Sequence, residues 1–245
     1  MARTPPSLLA PAQPSTPSHA VSTVISPDKE AARARLRGTV WERSGLAVSV
    51  YQESIGLGRR LGAIGVTPDA ITYASLGLAA LAGVAAAIGW LGTAAFFVLA
   101  SGLADVLDGV VARATGRSSP FGALLDSTIN RLSDGLPLLG LVVFYAGWGP
   151  AVLAPGAALL AGFTVSYIRA RAEGLGARLP ALYMRRAERV VMLVASLLGG
   201  AIPVGGPVPA PLTLAGVAIL AVLGAFGAVS AIRAARTALT DLRVG

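Results

Sequence analysis

Four of the chain's 12 acidic residues, Asp105, Asp108, Asp126 and Asp134, fall between positions 105 and 134, each inside an otherwise apolar helical pattern. At i and i+3, Asp105 and Asp108 share one helix face; Asp126 and Asn130, at i and i+4, make a second such face on the next predicted helix. Facing one another, these helices would present a cluster of oxygens. Carboxylates crowded together in a low dielectric repel and would take up protons unless cations occupied the gap. All-oxygen ligation favours Mg²⁺, with Mn²⁺ as the alternative. Ca²⁺ suits a catalyst less well, and Zn²⁺ is disfavoured because there is no Cys and only one His, His19. Acids inside apolar helices also suit a proton relay or an ion pathway. Gly109 and Gly122, at fixed offsets from the acids, point instead to a phosphate or nucleotide approaching the backbone.

The run Asp105-xx-Asp108-Gly109-xx-Ala112-Arg113, eight residues, then Gly122-xxx-Asp126-xxx-Asn130 resembles the signature of the CDP-alcohol phosphotransferases, integral membrane enzymes of phospholipid synthesis. The resemblance implies two divalent ions held by Asp105, Asp108, Asp126 and the residue at 130, gripping the diphosphate of a CDP-linked lipid. It also implies that Gly109, Arg113, Ser119 and Gly122 bind the CDP portion. One position departs: the family pattern ends in a fourth Asp, to which the role of general base is assigned, and this chain has Asn130. An amide oxygen can face a metal, but a neutral amide does not take a proton. Asp134 lies one turn further on, about 6 Å along the axis. Three readings stand: an impaired enzyme form, an active enzyme using another base, or a catalytically silent homologue that binds the lipid nucleotide.

Just upstream of the first apolar span, Thr67-Pro68-Asp69 reads as a helix start, with Thr67 as N-cap, Pro68 at N1 and Asp69 at the positive helix end. By resemblance the same stretch, with Pro68, Asp69 and Thr72, helps hold the nucleotide. Further on, Ser166-Tyr167-Ile168-Arg169-Ala170-Arg171-Ala172-Glu173 and Arg185-Arg186-Ala187-Glu188-Arg189 bring two arginine groups to one mouth. They anchor the chain at a membrane face, and Ser166, Arg169, Arg171, Arg186 and Arg189 also suit a phosphorylated acceptor. These segments are similar to the bacterial phosphatidylinositol phosphate synthases, which join CDP-diacylglycerol to inositol 1-phosphate. Glycerol 3-phosphate, the acceptor of phosphatidylglycerophosphate synthases, is the nearest competitor, and a small transporter is the rival outside enzymology.

These groups require a membrane scaffold. Of the 245 residues, 54% are hydrophobic and 13% charged, too apolar a balance for an ordinary soluble domain. The net charge of +8 is almost wholly arginine and lies beside apolar spans, which favours anionic lipids and phosphates over nucleic acid. Six apolar spans are predicted, near 70–91, 93–114, 122–146, 150–172, 188–205 and 211–233. The fold expected is an all-α integral membrane protein, its six transmembrane helices preceded by an amphipathic juxtamembrane helix. Residues 1–30 read as a disordered Pro/Ser-rich tail without a signal peptide, 31–64 as the amphipathic segment, 65–236 as the membrane domain and 237–245 as a C-terminal tail.

The joints near 90–93, 146–150 and 200–211 carry no Lys or Arg, whereas Arg59, Arg60, Arg113, Arg117, the Arg169–Arg189 group, Arg233 and Arg236 fall at the opposite ends. That alternation places both termini and the site on the cytoplasmic side of a cell inner or plasma membrane. Gly77, Ala79, Ala80, Gly83 and Ala85 allow close helix packing, and the family resemblance implies a homodimer.

Overall fold

Pro68, with its fixed φ and no N–H to leave unpaired, opens the first long helix, and Thr67 caps it by accepting from the Ala70 N–H at 3.3 Å, as the sequence predicts. The computed structural model describes residues 56–180 and 182–241. Among these, residues 56–63 are helical and six long helices follow: α1 (Pro68–Ala87), α2 (Leu91–Ala114), α3 (Pro120–Tyr145), α4 (Leu153–Gly174), α5 (Arg186–Gly200) and α6 (Pro211–Asp241). A short 3₁₀ turn, Gly149–Val152, leads into α4. The tail at 1–30 and most of the amphipathic segment lie outside the described residues.

Among the described residues, four segments are long and apolar enough to cross a bilayer: Pro68–Ala87, Leu91–Ala114, Gly149–Gly174 and Pro211–Asp241. The other two helices exist but differ in kind. Helix α3 carries Asp126, Arg131 and Asp134 among its 26 residues, and α5, at 15 residues, is about 22 Å long against a hydrocarbon core of about 30 Å. Two predicted boundaries move. The fifth span was expected to reach 205 but its helix stops at Gly200, since Pro203, Gly205, Gly206 and Pro207 cannot sustain one. The sixth runs past 233 to Asp241, into the expected tail, on the strong helix formers Ala and Arg.

Helix α1 packs along both α2 and α3, α4 packs along α6, and α5 lies between α2 and α6. Backbone-close contact makes the α1–α3 seam: a Cβ on Gly140 would collide with the Gly83 carbonyl, and one on Gly83 would sit 2.7 Å from the Leu136 oxygen. Lipid gives helices no hydrophobic reason to associate, so such small-residue seams and interhelical hydrogen bonds carry the packing. The buried Ser101 hydroxyl donates to the Ser75 carbonyl at 2.9 Å, Thr213 donates to the Ser196 carbonyl at 2.9 Å, and fully buried Tyr145 donates to the Ala210 carbonyl at 3.0 Å. Outward faces are apolar, with Leu81, Val84, Phe96, Leu160, Val222 and Phe226 exposed, as contact with lipid tails requires.

The consequence for function is that the N-terminal ends of α1, α3 and α5 meet the C-terminal ends of α2 and α4. Cavity-lining residues from Pro68 through Arg189 gather there.

Candidate functional site

Asp105 and Asp108 stand on the last turns of α2 and Asp126 on the second turn of α3, and one oxygen from each lies within 4.8 Å of the others. Asp108 is buried and accepts a hydrogen bond from the Thr72 hydroxyl of α1 at 2.6 Å. Asn130, one turn along from Asp126, donates from Nδ2 to Asp126 Oδ1 at 2.7 Å, while its own Oδ1 is buried without a partner. A buried unpaired carbonyl oxygen is costly unless a ligand meets it. Three carboxylates and one orphaned amide oxygen form a hard, all-oxygen donor set, which fits Mg²⁺ or Mn²⁺. The two helix faces read from the i, i+3 and i, i+4 spacings are thus brought together.

Two cavities flank this cluster. The first, of about 150 Å³, is walled by Pro68, Asp69 and Thr72 of α1, Asp108, Gly109 and Arg113 of α2, and Ser119, Gly122 and Asp126 at the start of α3. All seven residues expected to hold the lipid nucleotide line this one space. Its floor is open because of glycine: a Cβ on Gly109 would lie 3.2 Å from the Arg113 guanidinium, and one on Gly122 would lie 3.1 Å from the Ser119 hydroxyl and 3.8 Å from Asp69. Ser119 caps α3, accepting from the Gly122 N–H at 2.9 Å, so the positive end of that helix faces the cavity.

The second cavity, of about 250 Å³, is lined by Asn130, Arg131 and Asp134 of α3, Ser166 and Arg169 of α4, and Arg186 and Arg189 of α5, with the 182–185 segment as its lip. Arg171 is not part of it. Residues two apart on a helix do not share a face, so α4 turns Arg171 outward to an exposed position while Arg169 lines the cavity. Even Arg169 is half exposed and pairs with Glu173 at 3.0 Å. More deeply held are Arg186 and Arg189. Arg186 ion-pairs with Asp105 and, through Nε, with Asp134 Oδ1 at 2.9 Å; Arg189 meets Asp134 Oδ2 at 2.7 Å and donates to the Met184 carbonyl at 2.9 Å.

Sequence reasoning left out Arg131, which donates to the Ser127 carbonyl at 2.6 Å and reaches the Ser166 carbonyl at 3.4 Å, joining α3 to α4 at the cavity wall. Its place directly after Asn130 in the motif was the available signal. As for Asp134, both of its oxygens are taken up by arginines, so it is not a free base beside the acids.

Residues 65–239 match the family model described as CDP-alcohol phosphatidyltransferase. The archaetidylinositol phosphate synthase of Methanothermobacter thermautotrophicus is 42% identical over 137 residues, covering 56% of this chain and 69% of the relative. The phosphatidylinositol phosphate synthase of Cutibacterium acnes is 37% identical over 145 residues, covering 57% and 70%. The crystal structure of Mycobacterium tuberculosis phosphatidylinositol phosphate synthase with CDP-DAG bound superposes with a TM-score of 0.66 at 30% identity, over 74% of this chain and 92% of that one. The same enzyme in complex with manganese and citrate gives a TM-score of 0.67 over 75% and 89%.

Proposed function

Because the chain belongs to the CDP-alcohol phosphatidyltransferase family, we propose that it transfers the phosphatidyl group of CDP-diacylglycerol to inositol 1-phosphate, giving phosphatidylinositol phosphate and CMP. The observation that carries this reading is a glycine-floored cavity lined by Asp108 and Asp126 beside a larger, arginine-walled one whose Asn130 and Arg186 bond to Asp126 and Asp105 of the same carboxylate cluster. A diphosphate in the first and a phosphorylated polyol in the second would meet at Asp105, Asp108 and Asp126. The similar proteins named archaetidylinositol phosphate synthase and phosphatidylinositol phosphate synthase support inositol 1-phosphate over glycerol 3-phosphate.

Asp105, Asp108, Asp126 and the Asn130 amide oxygen would hold two divalent ions, which supply charge neutralisation at the diphosphate and at the departing CMP phosphate. Thr72 fixes the Asp108 carboxylate by its hydrogen bond. Arg113 and the N-terminal end of α3 bind the CDP phosphates, and Gly109 and Gly122 let them approach the backbone. Arg186 and Arg189 bind the acceptor phosphate and orient its hydroxyl towards the cluster. Six bilayer crossings, a cytoplasm-facing site and a homodimer belong to the same proposal. They are supported by the arginine-free joints opposite the site and by the small-residue helix faces.

Asn130 favours a second reading. Its Nδ2 donates to Asp126, and a neutral amide does not accept the acceptor's proton, so the site is built for binding while lacking the base. Measuring CMP release from CDP-diacylglycerol and Mg²⁺, with inositol 1-phosphate or glycerol 3-phosphate, compares the two. We expect Asn130→Asp to raise the rate with inositol 1-phosphate about 10²-fold, the lower end of a general base's contribution. Equal rates for both forms would remove Asn130 as the obstacle. Tight CDP-lipid binding without CMP release by either form would establish the silent homologue, and preference for glycerol 3-phosphate would overturn the acceptor.

A further inference from the structure

Two guanidinium groups held side by side repel, and a carboxylate placed between them removes that cost while fixing their planes. Asp134 occupies this place. Its Oδ1 accepts from Arg186 Nε at 2.9 Å and its Oδ2 from a terminal nitrogen of Arg189 at 2.7 Å, joining α3 to α5 across 52 and 55 residues of sequence. The carboxylate is 19% exposed and the two arginines 24% and 13%, so water screens the group only partly. A second tether fixes Arg189: the Met184 carbonyl accepts from it at 2.9 Å, and Met184 adopts φ 58°, a left-handed conformation unfavourable for a residue with a side chain. Such strain persists where surrounding contacts hold it, and here it aims a carbonyl at an arginine that lines the larger cavity.

We propose that Asp134 is a positioning residue for the phosphorylated acceptor: by clamping Arg186 and Arg189 it builds the anion-binding wall of the larger cavity and sets acceptor affinity. The inference rests on reading that cavity as the acceptor site. Each guanidinium offers five N–H donors. Asp134 takes one from each, Asp105 takes another from Arg186 and the Met184 carbonyl another from Arg189, and the remaining N–H groups are left for a phosphate. Because Asp134 follows Asn130 by one helical turn, a single rigid helix fixes the acceptor wall relative to the acidic cluster. A purely structural salt bridge would predict general instability on its removal, not a selective loss.

The test uses the full chain in lipid nanodiscs with Mn²⁺, as wild type, Asp134→Asn and Asp134→Glu, titrated with inositol 1-phosphate, with inorganic phosphate and, separately, with CDP-diacylglycerol. For Asp134→Asn we expect affinity for inositol 1-phosphate and for inorganic phosphate to fall about tenfold or more, with CDP-diacylglycerol affinity unchanged within about twofold. Asp134→Glu keeps the charge but displaces it, and should fall between wild type and Asn. A parallel loss of CDP-lipid and phosphate binding, or unchanged phosphate affinity in either variant, overturns the proposal. If Asp134→Asn does not fold, Asp134→Glu alone decides it, unchanged phosphate affinity again being fatal. Binding of inorganic phosphate that depends on Asp134, without binding of inositol 1-phosphate by the wild type, would sink the assigned acceptor while sustaining the clamp.

Discussion

Asn130 donates its amide to Asp126 and leaves an oxygen buried without a partner, so this one side chain braces the third acid while its own acceptor stays unmet. The three carboxylates carry the charge that attracts a cation, and their removal should be felt first in binding. Asp105→Asn or Asp126→Asn is expected to abolish metal-dependent CDP-diacylglycerol binding, measured by titration with and without Mn²⁺; full retention would remove the cluster from the binding site. The arginines rank by how they are held. Arg189→Ala, which breaks a charge-assisted bond to Asp134, should weaken acceptor use about tenfold or more. Arg169→Ala should cost less because its partner, Glu173, lies with it at an exposed edge, and Arg171→Ala should leave the acceptor response unchanged. An equal loss for all three would point to bulk charge instead of a shaped site. The acids were legible in the sequence because i, i+3 and i, i+4 spacings fix a shared face. The ranking of the arginines was not, since it depends on which face of α4 and α5 meets α3.

Among the elements, α3 does the most for the site. It carries the cap that aims its positive end at the smaller cavity, the third acid, Asn130, Arg131 and Asp134, and it lies backbone to backbone against α1. That seam tolerates no side chain where Gly140 meets the Gly83 carbonyl. Gly140→Val should therefore cost about 1–3 kcal/mol or more through overpacking and lower the thermal midpoint in detergent. It should also loosen Thr72 from Asp108, because α1 supplies the one and α2 the other. A midpoint unchanged from wild type would mean that the helices separate without penalty. The start of α1 was readable from Thr67-Pro68-Asp69, since capping is local chemistry. The end of α5 at Gly200 and the extension of α6 to Asp241 were not, because apolarity marks a span but does not mark where helical hydrogen bonding stops.

At the scale of the molecule, arginine-bearing ends and arginine-free joints fall on opposite sides of a bundle whose outward surface is apolar. The absence of native cysteine makes sidedness directly measurable. In sealed right-side-out vesicles, Gly206→Cys should react with a membrane-impermeant maleimide and Ser118→Cys should react only after permeabilisation; the reverse labelling would invert the topology. By itself the sequence determined the all-helical membrane character, the carboxylate cluster and the residues of the smaller cavity. The first two follow from local periodicity and from spacing within two adjacent helices, whereas the cavity residues, spread over three helices, were implied by the family resemblance of the motif. Only the tertiary structure decided that Asp134 belongs to Arg186 and Arg189, that Arg171 faces away and that Arg131 joins α3 to α4. A long guanidinium side chain can reach many partners, and its choice is made when helices distant in sequence pack together and leave one carboxylate or carbonyl within hydrogen-bond reach.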